Sequence, residues 1–266
     1  MDAKVESFHT ELAPYFTTGF RVLPWRHLST NDAERFYQVL VSELMLQQTQ
    51  VSRVIDSYLS WNRRFPDIET LAKAPFRDVL GEWAGLGYSR RAKYLQDIAQ
   101  ALVGASLPMT IEELVAFKGI GVNTAGAILA YYNNLPAVFI ETNVRTVLFH
   151  HFFEDQESVD DRELYELIGR LIDTKNPRSW YWAIMDYGAY LKRSIRNNSM
   201  SRHYTKQSVF EGSDRQLRSY LLKRLIIGPC TEKEALYFVG SKLFIIEGLQ
   251  KDGMIDYSDG IIVLAK

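Results

Sequence analysis

The sequence of 266 residues contains a single cysteine, Cys230. One thiol excludes an internal disulfide, and no C-x-x-C pair is present to begin a zinc or iron–sulfur site. Long apolar runs are also absent. The N-terminal segment has no hydrophobic signal core, and no stretch of about 18 residues is apolar enough to span a bilayer. We therefore expect an intracellular protein, neither secreted nor membrane-bound, whose fold depends on packing.

Net charge is nearly absent as well, since 31 Lys and Arg stand against 32 Asp and Glu. A neutral average can still hide a local basic surface. The region 178–224 has many more basic than acidic residues, and we name it the basic stripe. Its basic residues are Arg178, Lys192, Arg193, Arg196, Arg202, Lys206, Arg215, Arg218, Lys223 and Arg224, and its acidic residues are Asp186, Glu211 and Asp214. The stripe indicates either a phosphate-binding surface or a solvated loop and helix face, and by itself it favours the second.

Alternation typical of strands is nearly absent before residue 250, whereas helical periodicity recurs throughout the chain. The chain is therefore predicted to be mainly α-helical, with Asn31 and Asp32 capping an early helix that carries Glu43. Further helices are predicted over 51–63, 68–74, 76–84, 89–103, 111–117, 123–132, 141–152, 160–171, 179–192, 214–225, 231–239 and 242–251.

The end of the sequence predicts a small separate module. After a polar stretch over 192–207, three helices precede a β-hairpin formed by 254–257 and 261–264, because Asp-Gly between two apolar runs is a hairpin signal. Three helices and a two-stranded wing indicate a winged-helix-like module. A helical cap on the main domain, with the hairpin packed against it, explains the same pattern equally well.

The segment 114–129 reads Leu-Val-Ala-Phe-Lys-Gly-Ile-Gly-Val-Asn-Thr-Ala-Gly-Ala-Ile-Leu, a pattern typical of a helix-hairpin-helix. Gly119 and Gly121 permit a tight turn and leave amides open at the start of the second helix. Such amides suit a phosphate oxygen, directly or through a monovalent cation. A G-x-G by itself indicates only a tight turn, but the flanking apolar pattern favours binding of the DNA backbone.

Together with this hairpin, five further motifs resemble the helix-hairpin-helix (HhH-GPD) base-excision DNA glycosylases, and most of all their adenine-specific MutY branch. The resemblance covers roughly residues 20–190 in unbroken order. The motifs are Leu23-Pro-Trp-Arg26, Ser42-Glu-Leu-Met-Leu-Gln-Gln-Thr-Gln-Val51, Gly85-Leu-Gly-Tyr-Ser-Arg-Arg-Ala92, Asn143-Val-Arg-Thr-Val147 and Met185-Asp-Tyr-Gly-Ala189.

The resemblance implies a two-lobed, mainly α glycosylase fold with a small C-terminal helical or winged-helix-like module. A six-helix barrel with the helix-hairpin-helix is expected over 32–136. Residues 1–31 and 137–205 would form the second lobe, and 206–266 the C-terminal helical module with its β-hairpin. The active site is expected in the cleft between the lobes, with Glu43 facing Glu141.

Glu43 matches the family's acid, which protonates the departing adenine and helps to position water. Its apolar surroundings predict partial burial, which favours the protonated form of a carboxylic acid. Glu141 stands where the family has an Asp that stabilises the oxocarbenium-like sugar, although a carboxylate at a helix start can also serve as a cap. Asn123 replaces the Schiff-base lysine of bifunctional relatives and Lys118 is not at that position, so lyase activity is not expected.

The resemblance also implies the residues that contact DNA. Gln47 and Tyr88 match residues that wedge into the duplex, and Gln48 and Thr49 match residues near the opposing base. Gly119, Gly121, Asn123 and Thr124 of the hairpin would contact the DNA backbone. Residues expected to line the base pocket or groove are Trp25, Arg26 and Arg91. We expect no metal site, because His150 and His151 at adjacent helix positions should point apart.

Two departures from the family pattern matter. The region after the helix near Tyr190 lacks the four cysteines that usually hold an iron–sulfur cluster, so no cofactor is expected there. Its lysines and arginines would instead contact DNA, foremost Arg193 and Arg196, and also Arg202 and Lys206. Only about 55 residues follow this loop, in place of the domain that recognises 8-oxoguanine.

The sequence therefore predicts a monomeric, monofunctional DNA glycosylase acting on mismatched or damaged double-stranded DNA in the cytoplasm or nucleoid. The expected target is adenine opposite 8-oxoguanine or guanine. Two alternatives stay open: a glycosylase for mispaired thymine or uracil, although Asn123 in place of a Tyr argues against thymine, and a catalytically silent lesion-binding protein.

Overall fold

The computed structural model describes residues 2–17, 21–202 and 209–265. This part of the chain is mainly α-helical, as predicted, and none of its helices is long and apolar enough to cross a bilayer. Lys206 of the predicted DNA-binding loop lies outside the described residues. The helices are α1 (Asp2–Leu12), α2 (Asp32–Leu46), α3 (Val51–Arg64), α4 (Ile68–Lys73), α5 (Phe76–Glu82), α6 (Arg90–Leu102), α7 (Ile111–Val115), α8 (Val122–Asn133), α9 (Thr142–Phe152), α10 (Asp161–Leu171), α11 (Pro177–Leu191), α12 (Asp214–Ile227), α13 (Glu232–Phe238) and α14 (Leu243–Lys251).

Helix starts follow local capping chemistry. The Asn31 side chain accepts a hydrogen bond from the Glu34 amide at 3.1 Å, which begins α2 where the sequence predicts it. Thr110 and Glu113 form a capping box that starts α7. Helix α1 was not predicted, and short 3₁₀ turns also occur at Ala13–Phe16, Pro24–Arg26 and Asn198–Met200.

The chain forms two compact units. The first unit contains Met1–His27, Pro108–Ala116 and Ile120–Lys206, and the second contains Leu28–Leu107, Phe117–Gly119 and Gln207–Lys266. Glu141 therefore belongs to the first unit and Glu43 to the second. The division into a barrel over 32–136, a second lobe and a module from 206 stays a prediction.

In the first unit, α11 packs along α9, and α1 and α8 pack against this pair. The approach of α11 to α9 is close at Gly188, where an added Cβ would lie 2.4 Å from the Asn143 carbonyl oxygen. Phe139 and Tyr181 stack in the core with ring centres 3.8 Å apart. The glycine of the 185–189 motif thus lets α11 approach the start of α9, directly after Glu141.

In the second unit, α2 packs against α3 and α6, and α4 and α5 pack against α6. The core contains the perpendicular Trp61 and Trp83 rings, with centres 5.4 Å apart. The Tyr37 hydroxyl donates to the Phe65 carbonyl at 2.7 Å, which satisfies a polar group that the core buries. Helix α12 of the C-terminal region packs against α5.

The C-terminal region of the second unit contains the predicted hairpin, formed by β2 (Ile255–Ser258) and β3 (Ile261–Leu264). A third strand, β1 (Cys230–Thr231), was not predicted and pairs antiparallel with β3, so the sheet order is β1-β3-β2. Two residues are too short for an alternating pattern. The element order α12-β1-α13-α14-β2-β3 agrees with the predicted winged-helix-like module.

Candidate functional site

Glu43 lies in the buried face of α2, three residues before its end. Only 8% of the surface of Glu43 is exposed to solvent, whereas Leu40 and Leu44 beside it are fully buried. The predicted partial burial is therefore confirmed. The residual exposure leaves room for a carboxyl group to reach a bound molecule.

Glu141 precedes α9 as its N-cap residue, yet its side chain makes no capping hydrogen bond. The structural alternative, in which its carboxylate caps α9, is therefore wrong. Desolvation raises the pKa of Glu141, while the positive charges of Lys192 and Arg145 act in the opposite direction. Glu141 is thus a half-buried carboxyl group with two cations near it.

Lys192, which the sequence indicated only as part of the basic stripe, is a further candidate site residue. Its Nζ donates to the Asn143 side-chain oxygen at 2.6 Å, and the Asn143 amide nitrogen donates to the Met185 carbonyl at 3.1 Å. Desolvation lowers the pKa of Lys192 to about 8, against the attraction of Glu141. The sequence signal that could have identified Lys192 is a lysine at the end of an apolar helix, at the start of the region where the family usually holds its cluster.

Asn123 supports the segment that carries Glu141. Its side-chain oxygen accepts from the Ile140 amide at 2.9 Å and from the Tyr165 hydroxyl at 2.8 Å. The residue directly before Glu141 is therefore tied to the first turn of α8. The side-chain oxygen of Asn123 thus accepts hydrogen bonds from two donors within the protein. The contact of Asn123 with DNA stays a prediction.

Arg91 has a different place from the one predicted. It was expected to line the base pocket or groove, but it is buried, with 5% of its surface exposed, and desolvation lowers its pKa to about 10. Its two terminal nitrogens donate to the Leu44, Met45, Gln47, Leu86 and Gly87 carbonyls and to the Thr49 hydroxyl, at 2.6–3.1 Å. Arg91 therefore joins the end of α2 to the loop before α6.

This clamp brings together the residues predicted to read DNA in the second unit. Gln48 and Tyr88 both have positive φ, 52° and 47°, a conformation that non-glycine residues rarely adopt. The Gln47 side chain donates to the Gly119 carbonyl at 3.0 Å, and Thr49 donates to the Leu86 carbonyl at 3.3 Å. Backbone strain of this kind persists where the surroundings impose it, and it is common at functional sites.

The two hairpin glycines differ in their backbone requirements. Gly119 has φ of 90°, and an added Cβ would lie 2.4 Å from the Tyr94 ring, so this position requires glycine. Gly121, the N-cap of α8, has φ of −91°, which any residue can adopt. Of the two glycines that were predicted to permit the tight turn, only Gly119 has a backbone conformation that requires glycine. Because glycine has no side chain, Gly121 does not cover the backbone amides at the start of α8, which include the amide of Thr124.

Arg26 and Trp25, also expected to line a pocket, lie inside the first unit. Arg26 donates to both Asp186 carboxylate oxygens, at 2.6 and 2.8 Å, and Arg21 donates to the same carboxylate at 2.5 Å. Trp25 is buried. Both terminal nitrogens of Arg26 are therefore paired with the buried Asp186 carboxylate. Leaving either charge unpaired would be costly, so this arginine stabilises the fold.

Several residues of the basic stripe have partners within the protein. Arg178 and Arg224 donate to backbone carbonyls, Arg218 pairs with Asp252, and Arg202 pairs with Asp160. Within the described residues, Arg193, Arg196 and Lys223 are its exposed cations without an assigned partner. Arg193 and Arg196 therefore stay the candidate phosphate contacts of the stripe, whereas Lys223, which was not among the predicted DNA contacts, fits a solvated helix face.

His150 and His151 do not point apart as expected, because their ring centres lie 4.9 Å apart. A Glu11 oxygen and one ring nitrogen of each histidine lie within 4.8 Å of one another. The Tyr187 hydroxyl links two of these three residues, His151 and Glu11, by hydrogen bonds. His151 bonds to the Tyr187 hydroxyl at 2.8 Å, and that hydroxyl donates to Glu11 at 2.6 Å.

The iron–sulfur cluster of the family does not fit this chain. A cluster needs about four cysteine thiolates, whereas Cys230 is the single cysteine and is buried in β1. Segment 192–202 is instead held by side chains and backbone. Asn197 donates to the Thr146 carbonyl at 3.0 Å, and the Val159 amide donates to the Met200 carbonyl at 2.9 Å.

Replacing Arg91 by methionine is expected to lower the free energy of unfolding by at least about 3 kcal/mol, because several buried carbonyls lose their donor. Denaturant unfolding measures this change. The matched control is Arg90→Met, which removes an exposed arginine 3.5 Å from Asp252 and should cost less than about 1 kcal/mol. Equal losses for the two variants would contradict the clamp.

Comparison with known proteins agrees with these features. Residues 41–172 match the model of the HhH-GPD superfamily base excision DNA repair proteins. The chain is 29% identical to an adenine DNA glycosylase of Buchnera aphidicola over 231 residues, which are 82% of this chain and 64% of that protein. It is 35% identical to the mouse adenine DNA glycosylase over 229 residues, 82% of this chain and 44% of that protein.

The chain thus spans 64% and 44% of the length of these two curated relatives. Among solved structures, a thermostable thymine-DNA glycosylase matches its fold with a TM-score of 0.59 at 20% identity, over 71% of this chain and 87% of that one. The fold, the family match and the similar adenine glycosylases confirm the resemblance that the sequence motifs indicated. Residues 41–172, about half of the chain, belong to the HhH-GPD superfamily of base excision DNA repair proteins.

Proposed function

We propose that this protein is a monofunctional DNA glycosylase that hydrolyses the N-glycosidic bond of adenine mispaired with 8-oxoguanine or guanine. The observation that carries the proposal is the end of α2. There the buried Glu43 precedes the loop of Gln47, Gln48 and Thr49, and Arg91 ties that loop to the Tyr88 segment. An acid next to a rigid duplex-reading loop is what excision of an extruded base requires.

In this mechanism Glu43 donates a proton to the adenine ring, so the base leaves as a neutral molecule when the N-glycosidic bond breaks. The ionised Glu141 stabilises the positive charge that develops on the sugar. Water, positioned by Glu43, adds to the sugar carbon and returns a proton to Glu43. The product is an intact abasic site, because the Asn123 amide cannot form the Schiff base that lyase chemistry needs.

The proposed partner is double-stranded DNA bound by a monomer in the cytoplasm or nucleoid. The open amides at the start of α8 suit a phosphate, directly or through a monovalent cation. Arg193 and Arg196 are exposed cations that can bind further phosphates. No cofactor takes part in the proposed chemistry.

A panel of duplexes, each with one defined mispair, tests this function by alkali cleavage after single-turnover incubation. We expect strand cleavage with adenine opposite 8-oxoguanine or guanine, and none before alkali. Release of thymine or uracil opposite guanine, with adenine untouched, would replace adenine as the substrate. Tight binding of mispaired duplex without release of any base would support the silent lesion-binding alternative.

A further inference from the structure

The C-terminal region of the second unit contacts the segment that carries Tyr88. Arg215, in the first turn of α12, donates from its Nη1 to the Tyr88 hydroxyl at 2.7 Å. Its guanidinium carbon lies 5.5 Å from the centre of the Tyr88 ring, and that of Arg91 lies 5.6 Å from the same centre. Arg91 and Arg215, which are 124 positions apart in the sequence, therefore both contact the Tyr88 ring.

A second contact holds α12 beside the same segment. The Asp252 carboxylate, directly after α14, accepts from Arg218 at 2.5 Å and lies 3.5 Å from Arg90. Arg218 is nearly one helical turn beyond Arg215, and Arg90 is two residues after Tyr88. The C-terminal region thus grips the segment at two neighbouring points.

The conformation of Tyr88 explains why such support matters. Its φ of 47° lies in the left-handed region, which disfavours a residue with a bulky side chain. Tyr88 follows Gly87, which has a φ of 72° and, because it lacks a Cβ, could adopt many other backbone conformations. External contacts must therefore select one ring position, and Arg215 supplies both a hydrogen bond and a cation facing the ring.

We propose that Arg215 is a positioning residue for Tyr88, through which the C-terminal region keeps this ring ready to enter the duplex when a base is extruded. The inference rests on the proposed function, in which Tyr88 fills the space left in the base stack. It assigns a role to the C-terminal region, which the family match over residues 41–172 does not include.

The experiment compares Arg215→Met with Lys223→Met, which removes an exposed cation of the same helix α12. Base extrusion is followed by the fluorescence of 2-aminopurine placed beside the mispaired adenine, in a Glu43→Gln background that prevents excision. The single-turnover rate of adenine release is measured without that background. Arg215→Met should reduce the fluorescence rise and slow release by about tenfold, while Lys223→Met stays within about twofold of wild type.

Tyr88→Phe is the second variant, because it keeps the ring and removes only the acceptor of the Arg215 hydrogen bond. It should change both measurements in the same direction but less. The double variant Arg215→Met/Tyr88→Phe should be no worse than Arg215→Met, since both changes act on one contact. Additive losses, or an Arg215→Met protein that behaves like Lys223→Met, would overturn the inference.

The outcomes also separate this inference from the proposed function. Extrusion without adenine release by the wild type contradicts the function, and the fluorescence comparison still decides the role of Arg215. A wild type that extrudes no base overturns both. Thermal unfolding of each variant distinguishes a loosened ring from a misfolded protein.

Discussion

Glu43→Gln is expected to lower the single-turnover rate of adenine release by about 100- to 10,000-fold, the range typical of a lost general acid. The glutamine amide has nearly the shape of the carboxylic acid but cannot donate the required proton. Because Glu43 retains only 8% exposure among apolar neighbours, an isosteric change should leave the packing of α2 intact. The measurement is release of adenine from a duplex with one adenine–8-oxoguanine pair.

The matched control for this variant is Glu247→Gln, the same chemical change at an exposed position of α14 in the same compact unit. It should release adenine at the wild-type rate. Glu43→Gln should still bind the mispaired duplex, because the loop of Gln47 and Thr49 and its Arg91 clamp are unchanged. If Glu43→Gln releases adenine as fast as the control, another group must protonate the base.

Glu141→Gln should slow adenine release by about 100- to 1,000-fold, the cost of removing one electrostatic group that stabilises a transition state. Glu141→Asp retains the charge but withdraws it by about 1.5 Å, a displacement that costs roughly 100-fold in rate. The control is Glu166→Gln, at an exposed position of α10 in the same unit. If Glu141→Asp is faster than wild type, the family's shorter carboxylate remains the better geometry here.

The pH dependence of the rate of adenine release is expected to follow from the charged groups around Glu141. Desolvation raises its pKa, and Lys192 lowers it, so loss of the lysine charge should raise the pKa of Glu141 further. The ionised form then disappears at a higher pH as the solution is acidified. In Lys192→Met the acid limb of the rate profile should therefore move to higher pH, and an unchanged limb would show that Lys192 does not influence the reacting form of Glu141.

Much of the fold was predictable because it follows from short-range patterns. The start of α2 depends on Asn31 and a helical repeat, and the end of the chain depends on an Asp-Gly turn between two apolar runs. Both signals lie within a few residues of the structure they produce. Strand β1 was missed because its two residues form a strand only by pairing with β3, about 30 residues later.

The candidate site also contains features that the sequence predicted and features that it did not. The types of residue in the 42–51 and 85–92 motifs indicated glycosylase chemistry, and the partial burial of Glu43 followed from its apolar neighbours. The role of Arg91 did not follow, because its partners Leu44, Met45 and Gln47 are 44–47 residues away. A long side chain within such a motif is compatible with both a groove and the core.

By itself, the sequence determined that this protein is helical, lacks the cysteines for a cluster and belongs with the base-excision glycosylases. Spacing, turn chemistry and residue type carry that information locally. Only the tertiary structure decided that Arg26 is bound to Asp186, 160 residues away, and that Arg215 reaches Tyr88 across 127 residues. The reason is that a guanidinium can bind a carboxylate, a carbonyl, an aromatic ring or a phosphate, and folding decides which of these lies within its reach.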